Sequence, residues 1–434
     1  MHDSNFSSRR NFLKTSSSAV LGGALVSQIV FPAVVRGAPD TRKLKIGFIG
    51  CGGRGSGAAN QALTADENLE LYAMGDAFAE KIGPSLAALK KNHPSKINVP
   101  TERQFAGLDA YQKVIDSGVD LVILTTPPGF RPVHFKAAID ANKHVFLEKP
   151  MATDAPGLRS VMATAEEAKK KNLAVVAGFC WRYDLARREF FKRIHEGAIG
   201  ELRAVYHTYY TSPVKPMPAE DRRPAGMGDL EWQMRNWYNF VWLCGDSLVE
   251  QAVHSVDKLA WAMKDVPPLK AVAVGGRQIP NHGGNIFDHF EVNYEYANGV
   301  RGFLGCRQQA NCYGETRDYL IGTKGVGNIG GRKAAVEIKG EKDWQYSGPT
   351  PDMYQVEHDE LFASIRHGEP INDGKRMCTS TLLALMGRMA AYTGQEISWD
   401  QALNSKESLV PEKLDWEMKL TAAPLPMPGR TRFM

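Results

Sequence analysis

No two of the six cysteines form a C-x-x-C pair, and the Cys306/Cys312 spacing matches no common zinc pattern. A disulfide at Cys51 would distort the glycine-rich turn that holds it, so the cysteines read as small buried hydrophobes. Long runs of one charge sign are missing as well. The formal net charge is +5, and part of it sits at the front, where Arg9, Arg10, Lys14 and Arg36 stand against Asp3. The remainder is close to balanced, which removes the electrostatic footprint that a nucleic-acid partner needs. Internal repeats and low-complexity blocks are absent, which argues against solenoids and biased linkers. The chain has 434 residues, 43% apolar and 23% charged. That is an ordinary globular composition with length for two or three domains.

The front end carries the first positive signal. Ser8-Arg9-Arg10-Asn11-Phe12-Leu13-Lys14 precedes TSSSAVLGGALVSQIVFPAVV, an uncharged, moderately apolar stretch. This is a charged n-region followed by an h-region. The paired arginines with Phe and Leu behind them resemble a twin-arginine signal over residues 1–38. The expectation is export through the twin-arginine machinery to the periplasm or beyond. Cleavage stays open: Arg36 stands where a small residue is preferred and Pro39 follows, so the segment is either removed or kept as a weak membrane anchor. The twin-arginine route carries folded proteins, so a cofactor can be loaded before export. Such a cofactor must be held tightly and regenerated by the reaction or by a second substrate.

A dinucleotide loop follows. Lys43 to Ile49 is a short apolar run, read as a buried parallel strand. Gly50, Gly52 and Gly55 then satisfy G-x-G-x-x-G, with Gly53 and Arg54 inside the turn and a helix-compatible stretch behind it. One glycine permits the tight turn, one lets backbone approach a pyrophosphate, and one lets helix pack on strand. The phosphates sit at the helix N-terminus. A second strand, LELYAMGD, ends at Asp76, close to where an acid takes the ribose hydroxyls. An acid there favours NAD over NADP, whose phosphate it repels; Arg54 in the loop keeps NADP open. Strands at VDLVILTT, HVFLEKP and LAVVAGF alternate with helical stretches. The pattern predicts an α/β fold with a doubly wound parallel sheet over 39–175. A second domain over 176–410 and a proline-rich extended tail over 411–434 complete the chain.

With IGFIGCGGRG, TTPPGFRPVHFKAAIDANKHVFLEKP and AGFCWRYD followed by EGAIGELRAVYH, the chain resembles the Gfo/Idh/MocA family of nicotinamide-dependent sugar oxidoreductases. The likeness runs from about residue 43 to at least 260, and EKP is its most specific part. It implies a Rossmann domain followed by an α/β domain with an open, mostly antiparallel sheet, and a homo-oligomer, dimer or tetramer, built on that sheet. It implies that Lys149 reaches both the nicotinamide ribose and a substrate hydroxyl, with Glu148 beside the ribose. Thr125, Pro127 and His134 are the further cofactor contacts. A lysine there can stabilise developing alkoxide charge and share a proton. In LCGDSLVEQAVHSVDKLAWAM, Glu250 stands where the family usually has Asp, with His254 and Asp257 kept. Glu250 and His254 are four apart, so an α-helix puts both on one face and lets the carboxylate orient the imidazole. An E/H pair also suits a divalent ion, though no metal is assigned.

The resemblance implies a carbohydrate between the two domains. Sugar sites need flat aromatic faces and fixed donors and acceptors. Arg182 and Tyr183 follow the last Rossmann strand, and EWQMRNWYNFVWLCGD supplies Arg235 and Trp237; these four are the substrate candidates. Strands at 269–276, 287–296 and 300–309, with Asn298-Gly299 as a hairpin turn, begin the second sheet. Helices are expected at about 353–367 and 377–393, the second packing back on the Rossmann layer. The tail is expected to wrap a neighbouring subunit. The main reading is an exported NAD-dependent enzyme oxidising a sugar, polyol or glycoside at a carbinol carbon. Two alternatives stand beside it: a redox-neutral NAD-dependent glycoside hydrolase or lyase, and a non-catalytic sugar-binding protein on the same fold.

Overall fold

The computed structural model describes residues 41–331 and 335–434. The signal segment over 1–38, and with it the export and anchor expectations, lies outside the described residues. Among these residues no helix is long and apolar enough to cross a membrane.

Mostly apolar runs of three to eight residues make the first sheet. Its strands are β1 (Leu44–Ile49), β2 (Leu69–Asp76), β3 (Gln104–Ala106), β4 (Leu121–Leu124), β5 (His144–Leu147) and β6 (Val175–Ala177). Every pairing is parallel, in the order β3-β2-β1-β4-β5-β6. All four residues of β4 are buried, as a strand covered on both faces requires. The covering helices are α1 (Gly53–Ala65), α2 (Ile82–Asn92), α3 (Ala110–Asp116), α4 (Arg131–Asp140) and α5 (Ala155–Lys170). The order reverses between β1 and β4, so the carboxyl ends of those neighbours open a crevice at the switch point. β3 and α2 carry no strong sequence signal and were not expected.

After α6 (Leu185–His195) and β7 (Leu202–Thr211), the chain forms the short helices α7 (Asp229–Arg235) and α8 (Val241–Cys244). A five-residue π turn at Leu248–Ala252 then leads into α9 (Val253–Ala262). The second sheet adds β8 (Lys270–Gly276), β9 (His289–Glu295), β10 (Arg301–Gln308), β11 (Glu315–Gly322), β12 (Gly325–Ile329), β13 (Val336–Gly340) and β14 (Trp344–Gln345). Then come α10 (Met353–Arg366), α11 (Gly374–Thr393), β15 (Ile397–Ser398) and α12 (Trp399–Asn404). The strand order is β14-β13-β12-β11-β7-β10-β9-β8-β15, antiparallel except where β10 meets β7. The Asn298-Gly299 turn joins β9 to β10, with Gly299 at φ +79°. One face of this sheet packs on α9 and α11; on the other, Val272, Val274 and Ile321 are exposed.

The C-terminal third adds helices to both layers. α11 packs on α5 of the Rossmann layer, as expected, and on β8, and α10 also returns to that layer, where it packs on α1. Residues 41–434 belong to one compact unit. The tail folds over its own chain. Leu420 N donates to Asp229 Oδ2 at 3.0 Å, Lys406 N donates to the Met434 carbonyl at 3.0 Å, and the Trp416 ring meets Phe78 tilted, with centroids 5.8 Å apart.

Candidate active site

The crevice at the β1/β4 switch point is a cavity of about 490 Å³. Its floor is the glycine turn. Gly50 adopts φ +98°, a region that L side chains rarely enter. A Cβ on Gly55 would stand 1.8 Å from the Gly50 carbonyl oxygen, so only glycine lets α1 start this close to β1. Gly52 and Gly53 differ: a Cβ on either meets nothing within 4 Å, because open space lies above them. Among the described residues no side chain caps the N-terminus of α1. Uncapped N–H groups beneath open space suit a pyrophosphate, which would take the place of a capping oxygen. Thr125 Oγ1 ties the turn to the end of β4, donating to the carbonyls of Ile49 (2.8 Å) and Gly50 (2.9 Å).

Asp76 ends β2 on the cavity wall. Its carboxylate accepts from the N–H groups of Cys51 at 2.7 Å and Phe78 at 2.9 Å, and burial raises its pKa. Arg54 lines the cavity, but its guanidinium is committed. Nε donates to Glu148 Oε1 at 2.5 Å, and Nη2 donates to Glu357 Oε1 on α10 at 3.2 Å. His134 is a neutral wall: burial, then the nearby Arg131 charge, push its pKa down to about 3. It meets Thr126 Oγ1 at 3.1 Å and stacks on Tyr111 at 4.1 Å. The far wall is Arg235, Trp237 and Tyr238, the two rings stacked at 3.7 Å. Arg235 lies over Phe78 and pairs with Glu80 and Glu231.

Glu148 and Lys149 follow β5. Glu148 fits there because Gly178 opposite has no side chain; a Cβ would stand 2.8 Å from the carboxyl group. Lys149 Nζ donates to the main-chain oxygen of Glu250 at 2.5 Å and to Glu250 Oε1 at 2.8 Å. The two side chains are 9% and 6% exposed, so the pair is nearly dry. Gln251 Nε2 donates to Glu250 Oε2, and Tyr209 O–H on β7 donates to Gln251 Oε1 at 3.0 Å. A directed chain therefore runs Tyr209–Gln251–Glu250–Lys149. It fixes two of the three Lys149 N–H groups and leaves the third without an acceptor among the described residues.

The expected Glu250–His254 pair is not formed and is corrected here. Glu250 lies in the π turn, whose hydrogen bonds run i→i+5, so a spacing of four no longer places the two side chains together. His254 opens α9, with Nδ1 buried and unpartnered among the described residues. Burial, then the Lys149 charge, hold its pKa well below the usual histidine range, so the imidazole is neutral. Neither Lys149, Glu250 nor His254 lines the large cavity; the link is Tyr238, on the cavity wall, where burial and then the nearby Glu250 and Glu148 charges raise its pKa.

Arg182 and Tyr183 are corrected too. Arg182 is buried, with Nε on Asp257 at 3.0 Å and Nη2 on Asp265 at 2.7 Å. Tyr183 O–H donates to Asp373 at 3.3 Å and accepts from Arg376 at 2.8 Å, inside the core. Neither reaches the cavity. The residues missed are Tyr238, which stood in the quoted aromatic stretch, and Tyr209, for which no local signal exists. No group of three or more His, Cys, Asp or Glu suited to a metal occurs among the described residues.

A switch-point crevice with an uncapped glycine turn and a ribose-level acid defines a dinucleotide-binding oxidoreductase of the Rossmann class. A family model described as the oxidoreductase family with NAD-binding Rossmann fold matches residues 44–177, and the GFO/IDH/MocA C-terminal domain matches 188–327. The chain belongs to the Gfo/Idh/MocA family and is an NAD(P)-dependent oxidoreductase of that type. It is 26% identical to inositol 2-dehydrogenase 3 of Saccharopolyspora erythraea, over 58% of this chain and 68% of that one. It is 24% identical to the scyllo-inositol 2-dehydrogenase (NAD(+)) of Bacillus subtilis, over 62% and 72%. The crystal structure of aldose-aldose oxidoreductase from Caulobacter crescentus shares the fold, with TM-score 0.66, 20% identity and coverage of 82% of this chain and 100% of that one.

Proposed function

We propose that the protein oxidises a carbinol carbon of a sugar, polyol or glycoside, with NAD as the cofactor. Bound NAD supplies the hydride acceptor. Lys149 gives its one uncommitted N–H to the substrate oxygen and stabilises the negative charge that develops there. Neutral His254 takes the hydroxyl proton, which an already charged imidazole cannot do. Glu250 holds Lys149 rather than His254, and Trp237 with Tyr238 offers a flat face to a ring. The observation that carries this reading is the Lys149–Glu250 lock, which aims a single ammonium donor from the end of β5. The polyol-acting names of the relatives support the substrate class. The resemblance of residues 8–14 to a twin-arginine signal supports export of the folded protein with its cofactor in place, and a protein so loaded also suits a redox-neutral cycle.

The test uses purified protein. Denaturation is expected to release a nucleotide that mass spectrometry identifies as NAD. Incubation with free NAD and a panel of inositols, aldoses and glycosides is expected to give steady growth of NADH absorbance. Bond cleavage without net NADH selects the redox-neutral reading instead, and absence of both nucleotide and turnover overturns the proposal.

The Tyr209–Gln251 arm gives a narrower expectation. Tyr209→Phe removes one hydrogen bond worth about 0.5–1.5 kcal/mol. It should lower kcat roughly threefold to tenfold while leaving NAD affinity alone, as steady-state kinetics and a dinucleotide titration will show. A Tyr209→Phe/Gln251→Leu double variant should be no slower than Gln251→Leu, because both act through Glu250.

A further inference from the structure

Lys258 carries a buried charge that the reaction above does not use. It follows His254 by four positions on α9, so the two side chains leave one face of the helix, one turn apart. The Lys258 charge reaches the imidazole: after burial and the Lys149 charge, it is the next cause that holds the His254 pKa down. Lys258 is 2% exposed, and its Nζ donates to Asp318 Oδ2 on β11 at 2.5 Å. Asp318 stands directly opposite His207 on β7, and its Oδ1 meets His207 Nδ1 at 2.6 Å. Despite burial, the Lys258 ammonium and then His207 hold the Asp318 carboxyl down at about 2, so the acid is charged. His207 and Asp318 are 0% and 1% exposed, which puts the whole triad in the core.

A core gains little stability from such a triad. Polar groups taken out of water lose hydration that pairing only partly restores, and apolar side chains of similar volume are often as stable or more so. What the triad adds is direction: a charge-assisted hydrogen bond fixes a distance and an angle that apolar packing leaves looser. The strand that anchors it also anchors Lys149. His207 and Tyr209 are two apart on β7 and share a face of the sheet. From Tyr209 the contacts run through Gln251 and Glu250 to Lys149. From His207 they run through Asp318 to Lys258, one turn from His254. Both groups assigned to the substrate oxygen are therefore fastened to the same face of one strand.

We propose that Lys258 is a positioning residue: through Asp318 and His207 it fixes the face of α9 that presents His254, so that the imidazole meets the hydroxyl to which Lys149 donates. This rests on the role given to His254 above. The preceding residue, Asp257, ties α9 separately, to Arg182 Nε at 3.0 Å and to Ser380 Oγ on α11 at 2.7 Å. Without the triad the helix stays docked, and its His254 face is free to shift by the ~1 Å that costs a reaction about 10²-fold.

The test is the double variant Lys258→Met/Asp318→Asn, which removes both charges and keeps an acceptor for His207. It is compared with the wild type as purified full chain loaded with NAD, on the member of the inositol, aldose and glycoside panel that the wild type oxidises fastest. Melting temperature and NAD content are expected to match the wild type, and KM to stay within about twofold. Turnover, read as kcat, should fall roughly tenfold or more. The ratio of kcat in H2O to kcat in D2O should rise by at least half, because the proton step alone is slowed. Should the double variant fail to fold, as judged by circular dichroism and retained NAD, Lys258→Gln carries the same test. Its amide still donates to Asp318, and it should cut kcat at least threefold with the same rise in the isotope ratio. A smaller fall in kcat overturns the inference, as does a fall with an unchanged isotope ratio, since inactive protein lowers the rate alike in both solvents. Failure of both variants to fold makes the triad a structural element and overturns it too. His254→Gln separates the two readings. If it retains wild-type turnover, or if the wild type oxidises nothing in the panel, the role of His254 is what fails. If it abolishes turnover while the Lys258 variants run as the wild type does, only the positioning role fails.

Discussion

Lys149→Met is expected to lower kcat by about 10²–10³-fold, the loss seen when one donor to a developing oxyanion is removed. The nucleotide content of the purified variant should stay at the wild-type level, because the glycine turn, Asp76 and Thr125 are untouched. Stability is a separate matter. Removing the ammonium leaves Glu250, 6% exposed, without its ion-pair partner, and breaking a buried pair from one side costs about 3–5 kcal/mol. A slow, destabilised variant alone would not separate catalysis from packing. The double variant Lys149→Met/Glu250→Gln does. It removes both charges, and the amide can still accept from Gln251, so the melting temperature should recover most of its loss while turnover stays as low as in Lys149→Met. Glu250→Gln by itself keeps a main-chain acceptor for Lys149 at 2.5 Å and a side-chain oxygen in place. It should slow the reaction far less than Lys149→Met. Turnover within tenfold of wild type in Lys149→Met would refute the role given to Lys149.

The contrast between these variants reflects what was legible in the chain. The parallel sheet, the glycine turn and Asp76 are local patterns: apolar runs, a spaced triplet of glycines and an acid one strand later. Each is set by residues near one another in sequence, so a linear reading finds them. The two sheets and the β9–β10 hairpin were readable for the same reason. Arg182 and Tyr183 show the limit. A charged and an aromatic residue beside a presumed cleft look like ligand contacts until their partners are known. Those partners, Asp257 and Asp373, stand 75 and 190 positions away. The Tyr209–Gln251–Glu250–Lys149 chain was hidden likewise, since β7 meets the π turn only through tertiary packing. The Glu250–His254 spacing failed for a different reason. It was read with α-helical periodicity, and a five-residue π turn at Leu248–Ala252 breaks that periodicity without any mark in composition.

Glycine substitutions in the turn should divide into two kinds, and the division tests the phosphate cradle apart from the fold. Gly55→Ala places a methyl 1.8 Å from the Gly50 oxygen and 2.6 Å from Thr125 Oγ1, so backbone or strand must move. It should destabilise the protein whether or not nucleotide is present. Gly52→Ala should behave otherwise. Gly52 has φ −75° and ψ −173°, which alanine adopts freely, and its Cβ meets no protein atom within 4 Å. The nucleotide-free protein should therefore melt at the wild-type temperature. The new methyl instead occupies the space above the α1 N-terminus. A pyrophosphate kept from its backbone N–H groups loses one or two charge-assisted hydrogen bonds of about 1.5–3 kcal/mol each. Affinity for NAD should accordingly fall by about tenfold or more, as titration of the stripped protein will show. The stabilisation that added NAD gives the wild type should shrink in step, since it follows from the same binding constant. If Gly52→Ala binds NAD as well as wild type does, the open space above the turn is not where the phosphates lie.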